Sequence, residues 1–81
     1  FTVFPVPTSD ILFINLQSEV DNNIIINITD LRGRVLSTIE HDGGGGLDVI
    51  DFNTSSLDAG TYIIEAVSDN VRSVTRFEVL R

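Results

Sequence analysis

Few residues of this 81-residue chain have types and spacing that could do chemistry. His41 is the only histidine, and there is no cysteine. A histidine works as a base or a metal ligand only with partners: a nucleophile in reach, or further nitrogen or sulfur ligands. None is in view, so His41 reads as a solvated loop histidine beside a glycine run. The absence of cysteine excludes disulfides, thiol catalysis and Cys-ligated zinc. Asp42, Asp48 and Asp51 come nearest to a calcium set, since calcium takes roughly six to eight oxygens. Asp48 and Asp51 differ in strand parity, however, and their spacing matches no calcium loop. Gly43 to Gly46 is not a phosphate cradle: no Lys-Ser/Thr follows it and no helix N-terminus adjoins it. It reads as a flexible connector. No catalytic, metal-binding or cofactor-binding residue is expected, so function must lie in shape and surface.

The charge sum points away from polyanions. Five arginines stand against eight aspartates and four glutamates, with no lysine, for a net charge of −7. Binding nucleic acid or an anionic membrane needs a basic face. The acidity instead keeps a strand-rich domain soluble and discourages edge-to-edge association. No stretch approaches the ~20 apolar residues of a membrane-spanning helix, so no direct membrane insertion is expected. No basic-then-apolar leader opens the chain, and an export signal, if there is one, is expected on a longer parent. The length fits one small domain, residues 1–81, in which residues 1–3 end an upstream linker or form a first edge strand.

The elements follow from the side chains. Ten Ile, nine Val and seven Thr make β-branched residues close to a third of the chain. Such side chains lose χ1 freedom in a helix and fit a pleated surface. Phe1 to Phe4 alternates as a short edge strand, and Pro5 and Pro7 then impose an extended, ladder-breaking segment. Thr8 to Asp10 reads as a polar turn. Leu12, Ile14 and Leu16 share one face of the next strand. Residues 17–23 are polar and turn-rich. Ile24, Ile26 and Ile28 share a face of the clearest strand. Asp30 to Arg34 is a tight hairpin turn: Gly33 supplies positive φ and Asp30 accepts bonds from the turn's N–H groups. Strands follow at 35–40 and 47–53, separated by the glycine run. After a polar corner, Tyr62, Ile64 and Ala66 share a face. Asp69-Asn70 turns the chain into a last strand with Phe77 and Val79 on one side and Arg72, Val74, Arg76 and Leu80 on the other. Six to seven short strands with a turn every ten or so residues predict an all-β fold. The expected form is a small antiparallel immunoglobulin-like β-sandwich with Greek-key connections.

The corner Leu57-Asp58-Ala59-Gly60-Thr61-Tyr62 is the most informative local pattern. A tyrosine at such a corner returns its OH to upstream backbone while its ring enters the core. The run resembles the corresponding corner of immunoglobulin domains, but Ile64 stands where their cysteine follows. Over residues 4 to 81 the chain resembles a second family. It has the opening Phe4-Pro5-Val6-Pro7, the hairpin Asp30-Leu31-Arg32-Gly33-Arg34, the corner Leu57 to Tyr62 with Gly60, and a short strand at the extreme end, Arg76 to Arg81. This is similar to the C-terminal sorting domain of the type IX secretion system of Bacteroidetes, type A branch. Val6 departs from the Asn usual there.

The resemblance implies a domain that is not an enzyme. Similar domains end a cargo protein that reaches the periplasm by its own signal peptide. The outer-membrane type IX machinery recognises them. A sortase-like peptidase removes them, and the cargo is anchored at the cell surface or released. It further implies that Phe4, Pro5, Pro7, Asp30, Gly33, Arg34, Leu57, Gly60 and Tyr62 serve mostly as turn and core positions. Candidate recognition residues are Arg76, Phe77, Val79, Leu80 and Arg81, offered by strand addition or carboxylate capture. An unprotected edge strand would also allow self-association. The competing reading is a non-catalytic immunoglobulin-like or fibronectin-like binding module of a secreted protein. One Tyr and no Trp count against its stacking on sugars.

Overall fold

A computed structural model describes residues 2–5, 7–68 and 71–80, and the side chains of these except 17–22 and 43–45. Phe1, Val6, Arg81 and the turn expected at Asp69-Asn70 lie outside the described residues. The described chain is all-β and holds no helix: β1 Thr2–Phe4, β2 Ile11–Asp30, β3 Val35–Asn53, β4 Gly60–Ser68 and β5 Val71–Val79. Every strand pairing is antiparallel.

Two expected boundaries dissolve. The strands expected at 11–16 and 24–29 are one strand, β2, and those at 35–40 and 47–53 are one strand, β3. The polar segment 17–23 and the glycine run are ladder rather than loop. Ser18 pairs with Gly46, Val20 with Gly44 and Asn23 with Asp42. Polar residues and glycines suggest a loop, but backbone N–H and C=O groups need partners wherever they lie, and here the two segments face each other. The register shifts between Val20 and Asn23, and Gly46 takes φ of 105°. A shift of this kind bends a strand and strengthens its twist.

That bend makes the sandwich. The first half of β2 pairs with β1 and with the second half of β3. Its second half pairs with the first half of β3 and with β4, which pairs with β5. Each half of the long hairpin thus belongs to a different layer, and halving β2 and β3 recovers the seven expected strands. Residues 54–59 then carry the chain across, so that β4 lands beside β2 instead of its sequence neighbour β3. The smallest extent is 16 Å, fitting two layers about 10 Å apart.

The core lies between the layers. Leu12, Ile14 and Leu16 from the first meet Ile24, Ile26, Ile28, Tyr62, Ile64, Phe77 and Val79 from the second in one buried cluster. Residues opposite each other in an antiparallel pair share a face. In β3, Ile39 and His41 oppose buried Ile26 and Ile24, whereas Asp48, Ile50 and Phe52 oppose buried Leu16, Ile14 and Leu12. The inward face of β3 therefore switches from odd to even numbers across the glycine run. His41 is not the solvated loop residue expected. It is half-buried in β3, and its Nε2 lies 3.1 Å from Oδ2 of Asp48, tying the two halves of the bent strand.

If the glycine run were a slack connector, Gly46→Ala would be harmless. At its φ a Cβ is strained whatever the space around it, so the substitution is expected to cost about 1–2 kcal/mol in urea unfolding.

Candidate recognition surface

The hairpin turn is built around one carboxylate. Asp30 Oδ1 accepts the backbone N–H groups of Arg32 at 2.9 Å and Arg34 at 3.0 Å. Its Oδ2 accepts Nε of Arg34 at 3.1 Å, and its C=O accepts the N–H of Gly33 at 3.1 Å. Gly33 sits at φ of 87°, the conformation the turn requires and L-residues resist. The N–H bond from Arg34 is the main reason that the Asp30 carboxyl lies below its ordinary value of 3.8. Desolvation opposes this, while the Arg32 N–H and the Arg34 charge add to it.

The corner closes as its residue pattern predicts. Tyr62 Oη donates to the C=O of Asp58 at 2.6 Å, and the buried ring stacks on Phe77 at a centroid distance of 5.6 Å. Leu57 packs against the core, and its N–H bonds the C=O of Thr54. Thr54 is fully buried; its N–H and Oγ1 both donate to the C=O of Asp10, at 2.7 and 2.6 Å. Gly60 opens β4 opposite Val79.

The expected polar turn at Thr8 is a clasp. Thr8 is buried, its N–H donates to the C=O of Glu78 at 2.9 Å, and its C=O accepts the N–H of Leu80 at 2.8 Å. Its Oγ1 donates to the C=O of Ile11 at 3.0 Å. The Pro5/Pro7 segment thus leads into a parallel bridge with Val79, at the end of the last strand. Before it, Phe4 stacks on Phe13 at 5.4 Å and stays half exposed. Nothing in the one-dimensional pattern around Thr8 marks this contact; a buried threonine in a Pro-Thr-Ser-Asp run looks like any turn.

These motifs lie far apart in sequence and meet at one end of the sandwich. Asp30 pairs with Tyr62, and Tyr62 with Phe77, forming a row across β2, β4 and β5. The next positions outward are Gly60, Val79 and Thr8. The candidate recognition residues divide into two sets. Phe77 and Val79 are buried and offer no side chain to a partner in the folded domain. Leu80 is exposed, and Arg76 is largely exposed, 4.0 Å from Glu78. Arg81 lies outside the described residues.

A polar row crosses the outer face of the second layer. Thr38 donates to Asn27 at 2.9 Å, and Asn27 donates to Glu65 at 3.3 Å. Arg72 binds the other Glu65 oxygen, and this bond is the main reason that the Glu65 carboxyl lies below its ordinary value of 4.5. The row links β3, β2, β4 and β5.

Two measurements test this construction. Tyr62→Phe keeps the ring stack but strands the Asp58 carbonyl, for an expected loss of about 1 kcal/mol in chemical denaturation. Asp30 has a lowered folded pKa, so its contribution is full above its unfolded value and is lost as pH falls below 3.8 through the folded value. Asp30→Asn keeps an acceptor without the charge. Its unfolding midpoint should therefore change less than the parent's between about pH 5 and pH 2.

No curated protein matches the chain. A family model described as a secretion system C-terminal sorting domain matches residues 2–79, which takes in the proline opening, the Asp30 turn, the Tyr62 corner and the last strand. That family is made of sorting signals for export to the cell surface or beyond, and it is to this family, the type IX secretion C-terminal sorting domains, that the chain belongs.

Proposed function

We propose that this domain is a detachable address. It directs an attached cargo, held on its N-terminal side, from the periplasm across the outer membrane through the type IX machinery. A sortase-like peptidase then removes it, and the cargo is anchored at the surface or released. Catalysis is no part of its role; the domain folds, is recognised and is discarded. One observation supports this reading above the others: the chain's Pro5/Pro7 entry and its last strand are joined at Thr8, at the same end as the Asp30 turn and the Tyr62 corner. A receptor at that end meets the approach to the cargo and the end of β5 together.

Within the motif set, Asp30, Gly33, Leu57, Gly60 and Tyr62 act as turn and core. Arg76, Leu80 and Arg81 are the residues proposed to meet the machinery, with Phe77 and Val79 holding their strand in place. The test is a periplasmic reporter fused ahead of residues 1–81, expressed in a host with a type IX system. The double substitution Leu80→Ser and Arg81→Ser changes the side chains but leaves the core residue Val79 and the Leu80 N–H bond to Thr8 in place. Circular dichroism should then show an intact sandwich while the reporter stays in the periplasm. Export of the substituted protein would sink terminal recognition; failure of the unsubstituted fusion to leave the periplasm would sink the sorting role itself.

A further inference from the structure

The bridge at Thr8 reveals which backbone groups of β5 face away from β4. Thr8 binds the C=O of Glu78 and the N–H of Leu80, so these groups point to the outer edge. In an antiparallel strand the N–H and C=O of one residue point the same way, and the direction alternates along the chain. The register of β4 and β5 runs without a shift from Gly60↔Val79 to Ser68↔Val71. The backbone groups of Arg76, Val74 and Arg72 therefore face the outer edge too. Among the described residues β5 is an edge strand, and its one pairing on that side is with Thr8.

The other edges carry the usual defences against strand addition. β1 has three residues and runs into Pro5. β3 has register shifts near both ends of its first half and a glycine at positive φ. The stretch from Arg72 to Arg76 has no proline, no bulge and no inward charge. Its inward positions are Ser73 and Thr75, and its outward side chains Arg72, Val74 and Arg76 are all half or more exposed.

We infer that the outer edge of β5 from Arg72 to Arg76 takes an added strand from a protein partner, one with carboxylates flanking an apolar side chain in the pattern acid-x-apolar-x-acid. Main-chain bonds to Arg72, Val74 and Arg76 hold the strand, and its acids lie beside the two guanidinium groups. The charge pattern speaks against a second copy as occupant. Antiparallel pairing of two β5 edges about Val74 sets arginine against arginine, and like charges directly opposite destabilise a pair. The inference rests on the sorting reading insofar as the partner belongs to the export machinery, but the edge itself is tested separately.

The probe is the capped peptide Glu-Thr-Val-Thr-Glu, with Lys-Thr-Val-Thr-Lys as control, titrated into the 81-residue chain and followed by amide NMR shifts. The acidic peptide should shift the amides of residues 72–76 and bind about fivefold tighter than the lysine peptide. Arg76→Gln should narrow that preference. Val74→Pro removes one outward donor at an edge position where proline is tolerated, so the fold should persist while peptide binding is lost. Thr75→Pro removes an inward donor and should unfold the layer. Shifts centred on β1 or β3, no saturable shift, equal binding of the two peptides, or unchanged binding by folded Val74→Pro would each overturn the proposal. So would concentration-dependent dimers whose shifts map to residues 72–76. In the export assay, a folded Val74→Pro fusion exported like the parent overturns the edge and leaves the sorting role standing. If the parent fusion fails to export, the sorting role falls and the peptide titration still decides the edge.

Discussion

The period-two alternation of β2 is the constraint on which the remaining structure hangs. Leu12, Ile14, Leu16, Ile24, Ile26 and Ile28 all come from this one strand and make up most of the buried apolar cluster. β2 also has partners on both sides, with β1, β3 and β4 all laid against it. A slip of one residue would turn all six side chains to solvent, so its register is set strongly. Because β2 runs through both layers, the same alternation that fills one sheet also fills the other. A chain of 81 residues without disulfides has few other ways to assemble a core.

With β2 in place, polar residues close the ends. Asp30 gathers the turn that follows the strand, Thr8 clasps the end of β5, and Thr54 and Tyr62 tie down the connection between the layers. Each satisfies backbone groups at places where the ladder has ended, which is where a small sandwich has most to lose. The aromatic stack of Tyr62 and Phe77 joins this closure to the core. In the proposed reading, recognition and stability therefore share residues. Arg76 and Leu80 meet solvent on a strand whose intervening Phe77 and Val79 are core, so the surface offered to a partner stays in shape only while the end remains closed.

The legible parts were those governed by contacts close in sequence. The Asp30–Gly33 turn and the Tyr62 corner each bond within a few residues, and their residue types carry the geometry. The faces of Leu12 to Leu16 and of Ile24 to Ile28 follow from alternation alone. The glycine run is illegible in the sequence for a physical reason: glycine has no side chain to show periodicity, and its pairing partner is the equally uninformative segment 17–23. The place of His41 in the ladder is hidden in the sequence because the switch of inward parity in β3 shows only once the register is known. Thr8 reads as a turn residue in the sequence because its partners, Glu78 and Leu80, lie at the opposite end of the chain.

The amino-acid sequence by itself determined the class of fold, the absence of cysteine chemistry, the two turns and the order of motifs by which the family is known. Those depend on side-chain type, on local hydrogen bonding and on a period of two. The tertiary structure alone decided that two pairs of expected strands are continuous, that the entry segment clasps the last strand, and that, among the described residues, no strand pairs with the outward backbone of β5 from Arg72 to Arg76. Those depend on which backbone groups find each other across long stretches of chain. Hydrogen bonds between strands are made by peptide groups that every residue has, so residue types do not reveal where they go.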